Sequence, residues 1–262
     1  MKKLLALLMT ACMLFAFAGC GNKTPIVVAE KGSAGEKVAQ SEADFKNYEY
    51  TAVDTQGKAI MEVNAGTADA AVIDYVMSIG SIGEGTDYEK LVIEGDGYSK
   101  EEYGIAFRKG SDMTAKVNEI IRELKASGEL TKIAKTYKLD DILLADKESD
   151  AFKEAEQDSD YKYIMDKGEL VIGITYFAPM NYLDDSGKLT GFETEFAEAV
   201  CAKLGIKAKF QEISWSAKET ELAAKNIDCI WNGMTIDEER LQNMSITIPY
   251  MQNKQVKVVK EK

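Results

Sequence analysis

A short segment near the end of the chain, residues 227–240, combines the groups that can hold a carboxylate. It begins with apolar, strand-favouring residues, breaks at Asn232-Gly233, and continues into a helix start rich in acids. Thr235 is placed to cap that helix, and Arg240 follows closely enough to reach back over the break. Arginine and backbone N–H groups hold carboxylates in a fork geometry, so the segment predicts an anion site. An ordinary strand-to-helix turn with a solvent-facing arginine is the alternative.

Two segments early in the chain have related features. Residues 31–35 break a short strand and lead into a helix, where free backbone amides and the helix dipole favour an anion. Further on, an apolar strand over residues 70–73 ends at Asp74. A carboxylate at the C-terminal end of a strand occupies the usual position of ligand sites in α/β proteins. The alternatives are a simple loop at 31–35 and a helix cap at Asp74.

Helices and strands that could position these groups follow one another along the chain. Apolar spacing predicts helices over residues 55–65, 112–125, 193–203 and 218–224, and strands over residues 91–93, 170–174 and 207–213. The segment from 145 to 162 is acidic and polar, which is typical of a linker or a solvated helix.

Composition restricts the function classes. A chain of 262 residues is long enough for one large or two modest domains. Its net charge of −12 argues against binding to nucleic acid or to an anionic membrane surface by electrostatics. It contains no histidine, which removes the commonest general base and metal ligand, so we expect no metal, no cofactor and no enzyme.

The N-terminus has the pattern of an export signal. Lys2 and Lys3 precede an apolar run over residues 4–18, which is shorter than a membrane-spanning helix requires. The sequence Phe-Ala-Gly-Cys at 17–20 resembles the lipobox of bacterial lipoproteins, although leucine is more usual where Phe17 stands. We expect cleavage before Cys20 and lipidation of its thiol, which would anchor the protein outside the cytoplasm. An uncleaved anchor or a plain signal peptide is the alternative.

The chain contains four cysteines, and the sequence does not decide whether two of them form a disulfide. Cys12 would be removed with the signal peptide, and Cys20 is the expected lipid anchor. Cys201 and Cys229 could form a disulfide in an extracytoplasmic setting or remain two buried thiols.

The segments at 31–35, 70–74 and 227–240 resemble the amino-acid-binding proteins of ABC importers, solute-binding protein family 3. The resemblance implies an α/β, two-lobed, type II periplasmic-binding-protein-like fold. By position, it assigns the ligand carboxylate to Gly233, Thr235, Arg240, Ser33 and Ala34, and the ligand ammonium to Asp74. It places Phe177 and Trp215 against the ligand side chain, where the alternative for each is a place in the core. We expect Glu193 and Glu219 to be solvated helix charges, and the alternative is contact with a cationic ligand side chain.

The order of the family segments in this chain is exchanged, because the segment that usually comes first stands last. We therefore predict a circular permutant in which the usual ends are joined through an acidic linker near residues 140–165. The predicted organisation is a signal peptide over 1–19, the family's second lobe over 20–103, and its first lobe over 104–262.

The resemblance implies a monomeric, lipid-anchored receptor that binds a polar L-amino acid between its lobes and delivers it to the permease of an ABC importer. One alternative is an enzyme on the same fold, such as a cyclohexadienyl or prephenate-type dehydratase, because fold alone does not fix function. Another is a ligand-sensing module of a signalling receptor.

Overall fold

The computed structural model describes residues 23–98 and 100–261. Its strands are, in chain order, β1 (Ile26–Glu30), β2 (Glu49–Val53), β3 (Ala70–Asp74), β4 (Leu91–Glu94), β5 (Lys100–Tyr103), β6 (Ala106–Arg108), β7 (Glu169–Ile174), β8 (Tyr182–Leu183), β9 (Leu189–Thr190), β10 (Lys207–Glu212), β11 (Cys229–Ile230), β12 (Met244–Ile246) and β13 (Met251–Lys260). Its helices are α1 (Ala34–Ser41), α2 (Gln56–Ala65), α3 (Tyr75–Ser78), α4 (Met113–Ala126), α5 (Glu129–Thr136), α6 (Asp160–Lys167), α7 (Phe192–Leu204), α8 (Lys218–Ala223) and α9 (Glu238–Asn243).

One lobe is built on a six-stranded sheet and comprises residues 23–103 together with 251–261; we call it the six-stranded lobe. Its sheet has the order β2-β1-β3-β13-β4, and β5 also pairs with β13. β1 runs parallel to β2 and β3, whereas β13 is antiparallel to its neighbours. Every residue of β3 is buried, as expected for a central strand covered on both faces.

The other lobe, comprising residues 106–246, contains a five-stranded sheet and is called the five-stranded lobe. The sheet has the order β10-β7-β11-β6-β12. β7 is parallel to β10 and β11, and β6 is antiparallel to β11 and β12. The helix α7 buries Phe192, Phe196 and Val200 in the core of this lobe.

The two lobes share one strand arrangement. In each sheet three parallel strands are followed by one antiparallel strand, β13 or β6, which enters directly from the other lobe. The two crossings, at 104–105 and 247–250, are hydrogen-bonded to each other: Ile105 N donates to Thr247 Oγ1 at 2.9 Å, and Thr247 N donates to the Ile105 carbonyl at 3.0 Å. This paired connection confirms the two-lobed α/β architecture predicted from the sequence.

The predicted lobe boundary requires one correction. The sequence places residues 104–262 together, but β13 belongs to the six-stranded lobe because it pairs with β3, β4 and β5. A strand that crosses between lobes has the same local pattern as one that stays within its lobe, so the residue pattern alone does not assign it.

The acidic linker is mostly exposed to solvent, but hydrogen bonds attach it to the five-stranded lobe. The Asp112 carboxylate accepts hydrogen bonds from Ser159 Oγ at 2.6 Å, Ala155 N at 2.9 Å and Tyr161 N at 2.8 Å. Ser159 also caps α6, whose first residue is Asp160. These bonds fix the position of the linker before the chain enters β7.

Cys201 and Cys229 are both buried and unbridged. The predicted signal peptide and the lipidation site at Cys20 lie outside the described residues. Within residues 23–98 and 100–261, none of the helices has the length and hydrophobicity needed to cross a membrane.

Candidate ligand-binding cleft between the lobes

A cavity lies between the two lobes, at the C-terminal ends of β1, β3 and β11. The eight residues predicted to bind a ligand all line it, and three further residues complete the wall. The lining comprises Glu30, Ser33, Ala34, Gln56, Asp74, Phe177, Trp215, Asn232, Gly233, Thr235 and Arg240. The structure thus brings early and late segments of the chain together at one site.

Arg240 is held rigidly in the wall formed by the five-stranded lobe. Its side chain is only 5% exposed. Nη1 donates to the Thr235 carbonyl at 2.8 Å, and Nη2 approaches the Gly32 carbonyl of the other lobe at 3.4 Å. Asp237 Oδ2 lies 3.7 Å from Nε. The guanidinium therefore keeps one orientation toward the cavity, which suits recognition of a planar carboxylate.

Thr235 does not cap α9 as predicted from the sequence. Asp237 is the cap, because its Oδ1 accepts a hydrogen bond from Arg240 N at 2.8 Å. The Thr235 hydroxyl instead donates to Glu101 Oε2 at 3.1 Å. α9 begins three residues after Thr235, so the threonine stays in the extended segment that contacts both the cavity and the other lobe.

Glu193, expected to be a solvated charge, is fully buried beneath Gly233. Both of its carboxylate oxygens accept from Gly233 N at 3.0 Å, and one also accepts from the Tyr250 hydroxyl. Burial raises the pKa of Glu193 to about 7, although the hydrogen bonds from Tyr250 and Gly233 oppose this rise. Because the Gly233 N–H already donates to Glu193, it is not free to donate to a ligand carboxylate as predicted. The glycine instead leaves room in the cavity wall because it has no side chain.

The backbone conformation of Gly233 and the nearby Phe177 ring both require a residue without a side chain at position 233. Its φ is +57°, a left-handed conformation that other residues adopt at a cost. A Cβ at this position would overlap the Phe177 ring. The aromatic side chain predicted to contact the ligand therefore packs directly on the turn that carries Thr235 toward the cavity.

Asp74 is a carboxylate surrounded by side-chain amides. It is 5% exposed and accepts from Gln56 Nε2, Asn253 Nδ2 and, at 2.8 Å, Gln255 Nε2. Burial raises the pKa of Asp74, while these hydrogen bonds oppose the rise. The predicted alternative of a helix cap does not apply, because the side chain makes no capping bond to α3. The amides hold the carboxylate in place where it lines the cavity.

Glu101 is a second acid that shares this amide network. Its Oε2 accepts from Asn253 Nδ2 and Gln255 Nε2, each at 2.9 Å. Burial and the charge of Asp74 raise the pKa of Glu101 to about 7. Sequence reasoning missed Asn253 and Gln255, although polar residues on the buried face of β13 were a usable signal.

Ser33 and Ala34 form the beginning of α1 on the side of the six-stranded lobe. Ser33 Oγ accepts a hydrogen bond from Glu36 N at 3.1 Å and so caps the helix. Ala34 is the first helical residue, where backbone N–H groups have no partner within the helix. This helix N-terminus adds a partial positive charge to the wall.

Trp215 is buried and has a cation over its ring. Lys218 Nζ lies 4.9 Å from the ring centroid and donates to the Gly32 carbonyl of the other lobe at 3.1 Å. Desolvation by burial lowers the pKa of Lys218 to about 8. The Trp215 ring is therefore in contact with an internal cation, and Lys218 links the two lobes next to it. Glu219, also expected to be solvated, is half-buried and does not line the cavity.

The lobes are close together in this structure. The cavity has a volume of only about 10 Å³, near the space of one water molecule. At the rim, Lys37 of α1 forms ion pairs with Asp237 at 3.1 Å and Glu239 at 2.7 Å. An amino acid would need the lobes to separate before it could enter. No cluster of metal-ligating side chains occurs in the part of the chain that the structure describes.

The comparison with protein families adds independent evidence. Residues 170–262 match the family described as bacterial extracellular solute-binding proteins, family 3. In this segment the chain is similar to the family 3 solute-binding proteins. The matched segment includes Phe177, Trp215, Gly233, Thr235 and Arg240, so it supplies one wall of the cavity.

Individual curated relatives match over similar lengths. A probable amino-acid ABC transporter-binding protein of Haemophilus influenzae is 45% identical over 74 residues, which are 28% of this chain and 29% of that protein. The L-cystine-binding protein TcyJ of Escherichia coli (strain K12) is 34% identical over 88 residues, 33% of each chain. The chain spans about a third of the length of the curated relatives it matches.

Solved structures give a comparable match. A polar amino acid ABC uptake transporter substrate binding protein from Streptococcus thermophilus has 38% identity, covers 37% of this chain and 37% of that chain, and has a TM-score of 0.35. The assignment of the fold rests on the two sheets described above.

Proposed function

We propose that this protein is an extracytoplasmic, monomeric receptor that binds a polar L-amino acid between its two lobes and delivers it to an ABC importer. One observation carries the proposal: Asp74 and Arg240, on different lobes, line the same cavity. A carboxylate and a guanidinium on opposite walls match the two charges of a zwitterion.

The division of the site between lobes supplies the mechanism. Arg240 and Thr235 contact the ligand carboxylate from the five-stranded lobe, while Ser33, Ala34 and Asp74 contact its charged groups from the other lobe. An amino acid then interacts with both walls only when the lobes are together. Its binding shifts the equilibrium from open to closed forms, and the closed form is the one the permease recognises.

Thermal-shift screening of the full chain against the twenty amino acids and cystine tests this function. A ligand at about a hundredfold excess over its Kd adds about 2.7 kcal/mol to the free energy of unfolding. We expect at least one polar amino acid to raise the melting temperature and Arg240→Ala to remove the shift. An absence of shift with every amino acid would contradict the proposal.

We further propose that the receptor binds without turnover. The support is the match of residues 170–262 to family 3 solute-binding proteins. In addition, the Asp74 carboxylate accepts a hydrogen bond from a side-chain amide, and the Glu193 carboxylate accepts one from a backbone N–H. Incubation with prephenate should leave its concentration unchanged. Conversion to the dehydrated product would favour the dehydratase alternative.

The membrane attachment is proposed from the sequence. We propose that Cys20 carries the lipid that anchors the receptor, in keeping with the lipobox-like residues 17–20. In a bacterial host, Cys20→Ala should move the protein from the membrane fraction to the soluble extracytoplasmic fraction and abolish palmitate incorporation. Unchanged fractionation would contradict the anchor.

We also propose that the chain is circularly permuted relative to its family. The support is geometric: β1 begins beside β3, where Asp69 Oδ2 accepts from Ile26 N at 2.7 Å, and β13 ends beside the same strand. The two ends of the described chain thus lie at one end of one sheet. A rearranged gene that starts near residue 160 and joins β13 to β1 should fold and bind the same ligand.

A further inference from the structure

Glu30 is a buried acid that the sequence analysis did not single out. It is the last residue of β1, is 3% exposed, and lines the cavity close to Asp74. Its Oε1 has no hydrogen-bond partner among residues 23–98 and 100–261. Buried polar groups are nearly always satisfied, so an unpartnered carboxylate oxygen in a ligand cavity requires an explanation.

The neighbours of Glu30 do not satisfy it. Lys218 is the nearby cation, but its Nζ donates to the carbonyls of Gly32 at 3.1 Å and Trp215 at 3.3 Å. Gln56 donates to Asp74 and makes no hydrogen bond to Glu30 Oε1. Burial and, next, the charge of Asp74 raise the pKa of Glu30 to about 8, while the charge of Lys218 and a hydrogen bond from Gln56 oppose the rise.

The contrast between the two acids separates their roles. Asp74 already accepts three side-chain amide bonds, whereas Glu30, which lines the same cavity, has an Oε1 that accepts none from the described residues. Asp74 and Arg240 together match the backbone charges of an amino acid, so the Glu30 carboxyl remains for the ligand side chain. A cation beside this carboxyl favours its ionised form. Phe177 and Trp215 line the cavity as well, and aromatic faces stabilise cations, as the contact between Lys218 and the Trp215 ring shows.

We infer that, within the proposed function, Glu30 determines specificity and selects L-amino acids whose side chain ends in a cation, a guanidinium or an ammonium. A cationic side chain supplies both the missing hydrogen-bond donor and the compensating charge. A neutral side chain with an N–H group supplies the hydrogen-bond donor but not the compensating charge.

Isothermal titration of the full chain with L-arginine, L-lysine and L-citrulline tests this inference. Citrulline matches arginine in length but carries a neutral ureido group. We expect arginine or lysine to bind at least about tenfold more tightly than citrulline. Glu30→Gln should weaken binding of the cationic ligand by about tenfold or more and change citrulline binding by less than about threefold.

Glu49→Gln is the matched control, because Glu49 is an exposed acid on the neighbouring strand, at the opposite end of the sheet. It should leave all three affinities unchanged. If Glu30→Gln fails to fold, the arginine-to-citrulline ratio of the unaltered protein decides by itself. Equal affinities for arginine and citrulline, or a preference for arginine that survives Glu30→Gln, would overturn the inference.

The outcomes also separate this inference from the proposed function. If a neutral amino acid such as L-glutamine binds and the cationic ones have no advantage, the receptor function stands and the role of Glu30 is wrong. If none of the amino acids binds, both are wrong.

Discussion

Asp74 and Arg240 line one cavity from opposite lobes, although Asp74 ends a strand near the start of the chain and Arg240 lies in a helix near its end. Each is fixed by its own lobe, Asp74 by the amides of Gln56 and Gln255, and Arg240 by the Thr235 carbonyl. Because neither lobe contains both charges, recognition of a zwitterion depends on how the lobes are placed relative to each other.

The buried acid beneath Gly233 should be important for stability. Glu193→Ala leaves the Gly233 amide and the Tyr250 hydroxyl without their shared acceptor, and each unsatisfied buried donor costs about 1–3 kcal/mol. We expect urea unfolding to show a loss of about 3 kcal/mol. The control is Glu198→Ala, an exposed acid on the same helix, which should change the free energy of unfolding by less than about 0.5 kcal/mol. Similar losses for both variants would contradict this role.

Gly233 should tolerate alanine less well than a glycine of similar conformation. Gly187 has a φ of +80°, and a Cβ added there would have no other atom within 4 Å, so Gly187→Ala measures only the backbone cost of about 1 kcal/mol. Gly233→Ala adds the overlap with Phe177, which costs roughly 1–3 kcal/mol more. Chemical denaturation of both variants measures the difference, and equal losses would show that Phe177 moves away freely.

The buried carboxyls should make stability depend on pH without added amino acid. Burial raises the pKa of Glu30 to about 8 and of Glu101 and Glu193 to about 7, so the folded protein holds protons that the unfolded chain releases. Their stabilising contribution is complete below the ordinary carboxyl pKa and is lost as the pH rises through about 7 to 8. The protein should therefore be more stable at about pH 5 than at about pH 8.

Glu30→Gln isolates one part of this pH dependence. Removing the ionisable group should reduce the loss of stability between about pH 5 and pH 8 by an amount on the order of 2–4 kcal/mol. Urea unfolding at several pH values measures it. A variant whose stability falls as steeply as that of the unaltered protein would show that Glu30 does not hold its proton in the folded state.

The sequence predicted features made by neighbouring residues better than features made by residues far apart in the chain. The segment around Asn232-Gly233 and Arg240 was recognisable because its strand, break and helix are contiguous. The surroundings of Asp74 were not, because Gln56 comes from α2 and Asn253 from β13, far along the chain. Glu193 was misjudged because its acidic helix start suggests solvent, whereas its burial depends on the turn at Gly233 and on Tyr250.

Glu30 shows a signal that was present but not used. It ends an apolar strand, as Asp74 does, and acids at such strand ends meet at the ligand side of an α/β sheet. The sequence gives no comparable signal for the lobe to which β13 belongs. Only the strands with which β13 pairs, such as β3, show that it belongs to the six-stranded lobe.

The most direct test of the account uses the amino acid that binds best and two analogues, one without the ammonium group and one without the carboxylate. Isothermal titration gives their affinities for the unaltered protein, for Asp74→Asn and for Arg240→Gln. We predict that Asp74→Asn abolishes the preference for the amino acid over the analogue without ammonium, and keeps the preference over the analogue without carboxylate. Arg240→Gln should do the reverse. If either variant weakened all three ligands equally, Asp74 and Arg240 would not divide the two charges of the ligand between them.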